Sequence, residues 1–208
     1  MFRSMFRVMF LALFLLAQGT VSAAPATILV MGDSLSAGYG IRQDEAWPVL
    51  LARRLQEQKL DYNVANLSIS GETSSGGRSR FEQALKQHRP AIVILVLGAN
   101  DGLRGLPAEV MRDNLAAMIA ASRKADARVL LVGMRLPPNY GADYTQKFQR
   151  VFADLARAYK LPLAPFLMAG FAGQREMFQA DGIHPVAAAQ PLMLDNIWPK
   201  LRPLLKQK

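Results

Sequence analysis

Three residues have side chains that could together carry out nucleophilic acyl transfer. Ser34 directly follows an apolar run, in GDSLS (residues 32–36), where a serine beside a helix start presents its hydroxyl outward. Asp181 and His184 stand three residues apart in DGIHP (residues 181–185). A serine nucleophile needs a base, normally a histidine that a carboxylate orients. The three residues therefore predict a nucleophile, a base and an orienting acid, in the chain order Ser, Asp, His.

The sequence around His184 favours a compact loop in which its ring meets Asp181. The intervening glycine allows a tight turn, and the following proline keeps His184 out of helical conformation. The second histidine, His88, stands at a predicted helix end, where a cation suits the helix terminus, and we interpret it as a structural or surface residue. Two plainer interpretations stay open: Ser34 as a helix cap, and DGIHP as a turn that begins with an acid.

Two further residues could donate hydrogen bonds to the negative oxygen of a tetrahedral intermediate. Gly71, in SISGETS (residues 68–74), follows the second predicted strand and could bring a bare backbone N–H close to a substrate. Asn100, in GAND (residues 98–101), follows the third predicted strand and has a side-chain amide. Loss of one such donor typically lowers a rate by about 10²–10³. Taken singly, Gly71 is also what a turn requires, and Asn100 what a strand end often carries.

Composition excludes several kinds of protein. The 208 residues are 51% hydrophobic and 20% charged, which is too apolar for a disordered chain and suits one globular domain or at most two small ones. The absence of cysteine excludes disulfides, thiolate metal sites, a cysteine nucleophile and a lipoprotein anchor. Two histidines are too few for a multi-histidine metal centre. Neither kind of metal centre is therefore expected.

The positive charge has more than one interpretation. A formal charge of +9 could favour anionic lipid head groups or nucleic acid. No basic run is dense enough to indicate nucleic acid, and no nucleic-acid motif is present. The charge therefore predicts a solvated basic surface and no nucleic-acid partner.

Residues 1–23 predict a cleaved export signal rather than part of the fold. Two arginines form a basic start, residues 8–17 an apolar stretch, and Val-Ser-Ala at 21–23 a small-residue cleavage site. The apolar stretch is shorter than the ~20 residues that a bilayer span needs, although an uncleaved anchor is the alternative. Cleavage after Ala23 leaves residues 24–208 with a formal charge of +7, because the removed segment holds two cations and no acid. We expect a periplasmic or secreted bacterial protein without stable membrane insertion.

Hydrophobic periodicity predicts alternating strands and helices after the leader. Short apolar runs indicate buried parallel strands, and apolar positions three or four apart indicate amphipathic helices. The predicted strands are 27–31, 62–67, 91–97, 128–133 and 161–166, and the predicted helices are 46–58, 74–87, 107–124, 144–159 and 186–205. The most apolar strand, 91–97, should be central. The last strand contains Pro162 and Pro165 and should lie at an edge.

This alternation predicts one three-layer α/β domain, over residues 24–208, with a five-stranded parallel sheet. No repeat, linker or charge block divides it. In such sheets, functional residues collect on the loops after the carboxyl ends of the strands. GDSLS, SISGETS and GAND each follow a predicted strand, so the proposed nucleophile and oxyanion donors should meet at that edge.

The four segments GDSLS, SISGETS, GAND and DGIHP together resemble the four sequence blocks of the SGNH (GDSL) hydrolases, in the family's order and spacing and over essentially all of residues 24–208. The segments GANDGLRGLP, RLPPNYG and MFQADGIHP are similar to the family's periplasmic acyl-CoA thioesterase/lysophospholipase/arylesterase subgroup. The resemblance implies that Ser34 is the nucleophile, His184 the general base and Asp181 its orienting carboxylate. It implies oxyanion donors in the Ser34 and Gly71 N–H groups and the Asn100 side chain. It also implies an α/β/α sandwich with a flavodoxin-like sheet and no cofactor.

The resemblance further implies a serine hydrolase that cleaves esters and thioesters of medium to long acyl chains through an acyl-serine intermediate. Residues on the loops beside the motifs could line an acyl channel: Leu103, Leu106, Pro138, Tyr140 and Ile183. Ordinary loop packing explains such side chains equally well. Other functions stay open: a carbohydrate acetylesterase, whose loops should be more polar, a non-catalytic lipid-binding accessory protein, and a protease. We expect a monomer that acts on a small-molecule or lipid substrate.

Overall fold

A parallel five-stranded sheet forms the centre of the computed structural model, which describes residues 24–205. The predicted export signal, residues 1–23, lies outside the described residues. The strands are β1 (Ala26–Gly32), β2 (Tyr62–Asn66), β3 (Ile92–Val96), β4 (Arg128–Val132) and β5 (Leu163–Ala164). They pair in the order β2-β1-β3-β4-β5, and every pairing is parallel. This is the flavodoxin-like order, so the predicted fold class is confirmed.

Helices cover both faces of the sheet. They are α1 (Ser34–Ala37), α2 (Trp47–Glu57), α3 (Ser74–His88), α4 (Ala99–Leu103), α5 (Ala108–Lys124), α6 (Ala142–Ala158) and α7 (Gln190–Leu201). α2 packs against α7, whereas α3 packs against α5 and α5 against α6. The connection from β1 to β2 and the connection from β2 to β3 run in opposite directions across the sheet. Because parallel crossovers are right-handed, these two groups of helices lie on opposite faces. The result is the predicted three-layer sandwich.

The structure agrees with the predicted positions of the central strand and of the edge strand. All five residues of β3 are buried, as a strand covered on both faces requires. At the far edge, β5 has two residues instead of the predicted six, since Pro162 and Pro165 flank it and have no backbone N–H to pair. Within the described residues, no helix combines the length and the apolar character that a membrane crossing needs.

The predicted helix over 186–205 is wrong at both ends. The structure has a shorter α7 with single 3₁₀ turns before and after it, at Ala187–Ala189 and Arg202–Leu204. Pro191 lies in the first turn of α7, where its missing N–H costs nothing, whereas Pro203 lies in the 3₁₀ turn beyond the helix. Pro199 stays inside the helix.

Two short helices were not predicted, because four or five residues are too few to show a hydrophobic period. α1 follows β1 and α4 follows β3, so both begin at the carboxyl edge of the sheet. The two helices therefore place residues of GDSLS and GAND at this edge.

Candidate active site

Ser34 is the first residue of α1, two positions after β1 ends. Asp33 caps this helix, because its Oδ1 accepts a hydrogen bond of 3.0 Å from the Leu35 N–H. The first N–H groups of a helix have no acceptor within that helix. The Ser34 N–H therefore has no acceptor within α1.

His184 reaches Ser34 across 150 positions of sequence. Its Nε2 lies 2.9 Å from the Ser34 Oγ, and its Nδ1 lies 2.7 Å from the Asp181 Oδ2. The loop that carries it is held at both ends, since the Gln179 N–H donates to the His184 carbonyl at 2.8 Å and the Arg175 guanidinium donates to the carbonyls of residues 178–180. The three side chains thus form one continuous hydrogen-bonded line.

The charge of Asp181 decides which nitrogen of the ring is protonated. Its Oδ1 accepts hydrogen bonds from the N–H groups of His184, at 3.0 Å, and Ile183, at 2.9 Å. These bonds hold the pKa of Asp181 well below its usual value, and the bond from the His184 N–H has the largest effect. A carboxylate beside Nδ1 favours a proton on Nδ1 and leaves the lone pair of Nε2 facing the Ser34 hydroxyl.

Gly71 brings a backbone N–H to the same edge. It adopts φ +80°, a left-handed conformation that favours glycine. An added Cβ would meet only Arg104 Nη2, at 3.8 Å, so conformation rather than space requires glycine here. The Arg104 side chain donates to the Gly71 carbonyl at 2.8 Å and so ties this loop to the loop after α4.

Asn100 joins the loops that follow three strands. It is the second residue of α4, whose N-cap Gly98 has φ +118° and leaves no room for a Cβ against Met111. The Asn100 Nδ2 donates to the Glu72 carbonyl at 3.1 Å and to the Asp33 Oδ2 at 3.3 Å. The second bond is the longer and weaker one, so a substrate oxygen could replace Asp33 as its acceptor.

A buried polar network supports these loops from behind. The Asp101 carboxylate accepts hydrogen bonds from the Ser74 N–H, at 2.7 Å, and from the Ser74 hydroxyl, at 2.5 Å. Asn114 donates to the same hydroxyl at 3.0 Å. Glu72 and Arg80 form an ion pair at the loop after β2. Because the polar groups of this network are paired with one another, the spacing between Gly71 and Asn100 has little freedom to change.

Asp33 is the buried acid of the site. Only 1% of its surface is exposed, and burial raises its pKa from 3.8 to about 6, although the hydrogen bond from Leu35 and the proximity of His184 act in the opposite direction. The folded state therefore binds the Asp33 proton more tightly than the unfolded state does. Between about pH 4 and pH 6, this difference lowers the free energy of unfolding as the pH rises.

From pH 4 to pH 8, we expect the free energy of unfolding of Asp33→Asn to rise by roughly 1–3 kcal/mol relative to that of the parent protein. This gain is added to a cost that does not depend on pH, because the new amide nitrogen cannot accept the hydrogen bond from Asn100. Asparagine is a good N-cap and carries no charge to bury. Urea unfolding of both proteins from pH 4 to pH 8 measures the difference. Asp44→Asn is the control with the opposite sign, since the hydrogen bond from Arg42 lowers the pKa of Asp44. A gain that is the same at every pH would contradict the explanation.

The five predicted acyl-channel residues are exposed or half-buried. Leu106 and Ile183 are 36% and 46% exposed, Pro138 is exposed, and Leu103 and Tyr140 are half-buried. The Tyr140 hydroxyl donates to the Leu103 carbonyl at 3.0 Å, so these two residues fasten one loop to another. Two cavities of the described chain, of about 540 and 330 Å³, are lined by other residues.

Two exposed apolar residues beside the site were missed from sequence. The Tyr39 ring lies 4.4 Å from the His184 ring, between centroids, and is 52% exposed. Ile69, two residues before Gly71, is 50% exposed. Neither belongs to a hydrophobic period, but an aromatic residue between two glycines, five positions after Ser34, is a signal that could have been noticed. By contrast, His88 ends α3, at the edge of the sheet away from Ser34.

The sequence blocks and their convergence match a known family. The model of the GDSL-like lipase/acylhydrolase family matches residues 30–191, which span the chain from β1 to the start of α7. The chain belongs to this family. It is therefore a hydrolase, as its sequence blocks predicted.

Individual family members are similar over nearly the whole chain. Esterase TesA of Pseudomonas aeruginosa is 48% identical over 195 residues, which cover 94% of this chain and 96% of that protein. Thioesterase 1/protease 1/lysophospholipase L1 of Escherichia coli strain K12 is 40% identical and covers 98% of this chain and 97% of its own. A crystal structure of TesA superposes with a TM-score of 0.84 at 48% identity, covering 86% of this chain and 99% of that one.

Proposed function

We propose that this family member hydrolyses carboxylic esters and thioesters through an acyl-serine intermediate on Ser34. The observation that carries the proposal is the hydrogen-bonded line from the Ser34 hydroxyl through His184 to Asp181, with distances of 2.9 and 2.7 Å. The Ser34 Oγ attacks the carbonyl carbon while Nε2 of His184 takes the hydroxyl proton. The imidazolium then gives this proton to the departing alcohol or thiol, and an ester of Ser34 remains.

The second half of the reaction repeats the first with water as the nucleophile. Water gives a proton to Nε2 of His184 and attacks the acyl-serine carbonyl. Collapse of the second tetrahedral intermediate releases a carboxylic acid, and the proton returns to the Ser34 oxygen. Asp181 keeps its charge throughout and stabilises the imidazolium in both halves.

Three donors at the carboxyl edge are assigned to the negative oxygen of both intermediates. They are the N–H groups of Ser34 and Gly71 and the Asn100 amide. In this mechanism the Asn100 amide exchanges its 3.3 Å bond to Asp33 for a bond to the oxyanion, while its bond to the Glu72 carbonyl keeps it oriented. Donors that need little reorganisation contribute most to such a step.

Labelling with a fluorophosphonate probe tests the proposed nucleophile. An activated serine attacks the phosphorus and forms a stable adduct, whereas an unactivated hydroxyl does not. We expect one adduct per chain, on the peptide that contains Ser34, as read by mass spectrometry. No adduct, or an adduct on another serine, would contradict the mechanism and favour a lipid-binding protein without catalysis.

We propose medium to long acyl chains as the preferred substrates. Two relatives are named an esterase and a thioesterase/lysophospholipase. Exposed apolar side chains lie within six positions of a site residue: Tyr39, Ile69, Leu106 and Ile183. An acyl chain laid on such an open surface loses only part of its contact with water, so each methylene contributes less than the ~0.8 kcal/mol of full burial.

We expect kcat/KM for a p-nitrophenyl octanoate to exceed that for the acetate by roughly 10–100-fold, because six more methylenes are partly buried. Ile183→Ser should reduce this ratio and leave acetate turnover unchanged. A parallel series of thioesters measures the preference for the leaving group. Equal kcat/KM for acetate and octanoate would rule out the apolar surface as an acyl site.

We also propose that residues 1–23 are removed on export and that residues 24–208 act as one periplasmic or secreted domain, as a monomer. The signal pattern in 1–23 supports the cleavage, and β1 begins at Ala26, just after the proposed site at Ala23. The family match begins at residue 30, beyond the leader.

A further inference from the structure

The fold collects much of the chain's positive charge at one edge of the sheet. Because all strands are parallel, their amino ends share one edge, and the large helices end there too. We define the amino edge as five segments, each of which begins at the last turn of a large helix. After α2, α3, α5 and α6 the segment runs to the next strand, and after α7 it runs to residue 205. These segments are 54–62, 85–92, 121–128, 155–163 and 198–205.

The amino edge holds more positive charge than the whole described chain. It contains eleven lysines and arginines and three acids, whereas the rest of residues 24–205 contains ten cations and thirteen acids. The formal charges are therefore +8 at this edge and −3 elsewhere. Nine of the eleven cations are exposed, so they face solvent rather than the core.

The cations are denser on one helical layer. The ends of α3, α5 and α6 carry six exposed cations, and Asp126 is the acid among them. These six are Lys86, Arg89, Arg123, Lys124, Arg157 and Lys160. The ends of α2 and α7 carry fewer cations and both of the other acids, Glu57 and Asp61. We call the exposed cations of the amino edge the basic surface, and the layer of α3, α5 and α6 forms its centre.

A cavity opens in this basic surface. Its volume is about 330 Å³, and its lining includes Arg123, Arg128, Lys160 and Asp126. Arg123 donates to the Tyr159 carbonyl and Arg128 to the Leu204 carbonyl, which hold the two guanidinium groups in place. Each keeps further N–H groups for an anion, since a guanidinium has five donors. The cavity can thus receive an anionic head group.

The catalytic residues lie at the other edge. Ser34, Gly71 and Asn100 follow the carboxyl ends of β1, β2 and β3. A strand of five to seven residues spans about 17–23 Å, whereas charges are screened over about 10 Å at 0.1 M ionic strength. The charge of the basic surface is therefore screened before it reaches a substrate at Ser34, and it attracts only molecules that bind at the amino edge.

Helix dipoles explain only part of this distribution. A cation in the last turn stabilises a helix C-terminus, and six of the eleven cations are in last turns. The other five follow the helices or begin a strand, where the dipole contributes less. At the opposite edge, where the helices begin, the same dipoles favour acids.

We propose that the amino edge docks on bilayers that carry anionic phospholipids, with the catalytic edge facing away from the membrane. This inference goes beyond the proposed reaction and does not depend on it. The +8 charge of the amino edge is complementary to an anionic membrane surface, and the 330 Å³ cavity can hold a phosphate head group. Three aromatic residues of the amino edge, Tyr62, Tyr159 and Trp198, are all half-buried. The Tyr159 ring lies under Arg123 and the Trp198 ring under Arg54, which disfavours base stacking with a nucleic acid.

The test is co-sedimentation of the enzyme, without its leader, with vesicles of phosphatidylglycerol and phosphatidylcholine in equal parts. At about 0.1 M ionic strength, we expect the enzyme to pellet with these vesicles, to stay in solution with phosphatidylcholine alone, and to be released at about 1 M, where charges are screened over about 3 Å. Turnover of a soluble ester should be unchanged by the vesicles. Inhibition by the vesicles, or equal binding to both lipids, would overturn the proposal.

A charge reversal identifies the surface. Each cation near an anionic membrane contributes about fivefold to binding, so K86E/K124E/K160E should lower vesicle affinity by on the order of a hundredfold. R112E/K147E/R150E makes the same change in net charge on exposed helix positions outside the amino edge and should retain most of the binding. The milder K86Q/K124Q/K160Q replaces the first variant if that one unfolds. Equal losses in the two sets, or a loss of affinity for DNA but not for vesicles, would show that the edge is no membrane surface.

Discussion

Ser34→Ala is expected to lower kcat for a p-nitrophenyl ester by about 10⁴–10⁶, the loss that removal of a serine nucleophile typically causes. The Ser34 hydroxyl is the group that His184 holds, 2.9 Å from Nε2, and no other hydroxyl lies on the line to Asp181 in the described residues. The N–H groups of Ser34 and Gly71 stay in place, so KM should change little. Steady-state kinetics with a medium-chain ester measures both constants.

Ser36→Ala is the matched control for this variant. Ser36 lies in the same helix, two positions further on, and its buried hydroxyl has no hydrogen-bond partner. Removal of an unpaired buried hydroxyl should leave kcat unchanged and stability equal or slightly higher. Both variants should unfold at temperatures close to that of the parent enzyme. Full activity in Ser34→Ala with a normal fold would assign the reaction to another nucleophile.

The strands and long helices were predictable because they follow from local patterns. β3 is a run of five apolar residues, which fits only a strand covered on both faces. The parallel arrangement follows from the alternation of such runs with helices. The ends of elements were less predictable, as α7 illustrates, since a proline can either begin a helix or follow one. Which outcome occurs depends on tertiary packing.

The proximity of the site residues was predictable for the same reason, but their support was not. Three of the four motifs follow strands, and parallel strands end at one edge. The contacts of Arg104 with Gly71 and of Asp101 with Ser74 join segments 33 and 27 positions apart, with no spacing that marks them. The acyl-channel prediction rests on apolar character and on position in a loop beside a motif, and these properties do not say whether a loop residue lines a channel or covers a surface.

Asp181→Asn is expected to lower kcat by about 10³–10⁴, as loss of the orienting carboxylate does in other serine hydrolases. The amide oxygen can still accept the N–H groups of Ile183 and His184, so the loop should keep its shape. In the parent enzyme the Asp181 carboxylate accepts a hydrogen bond from Nδ1 of His184, at 2.7 Å. The amide nitrogen of the variant would instead donate a hydrogen bond to Nδ1. The ring proton then moves to Nε2, which can no longer take the proton of Ser34.

The measurement for Asp181→Asn combines kcat with the rate of fluorophosphonate labelling. Both should fall together, because both depend on removal of the Ser34 proton, whereas a merely local unfolding of the loop would also weaken substrate binding and raise KM. Asp195→Asn is the matched control, since this acid lies in α7, is 58% exposed and pairs with Arg54. An exposed ion pair of this kind contributes about 0–1 kcal/mol, so the control should keep full activity. A loss below tenfold in Asp181→Asn would mean that Asp181 holds the loop and does not orient the base.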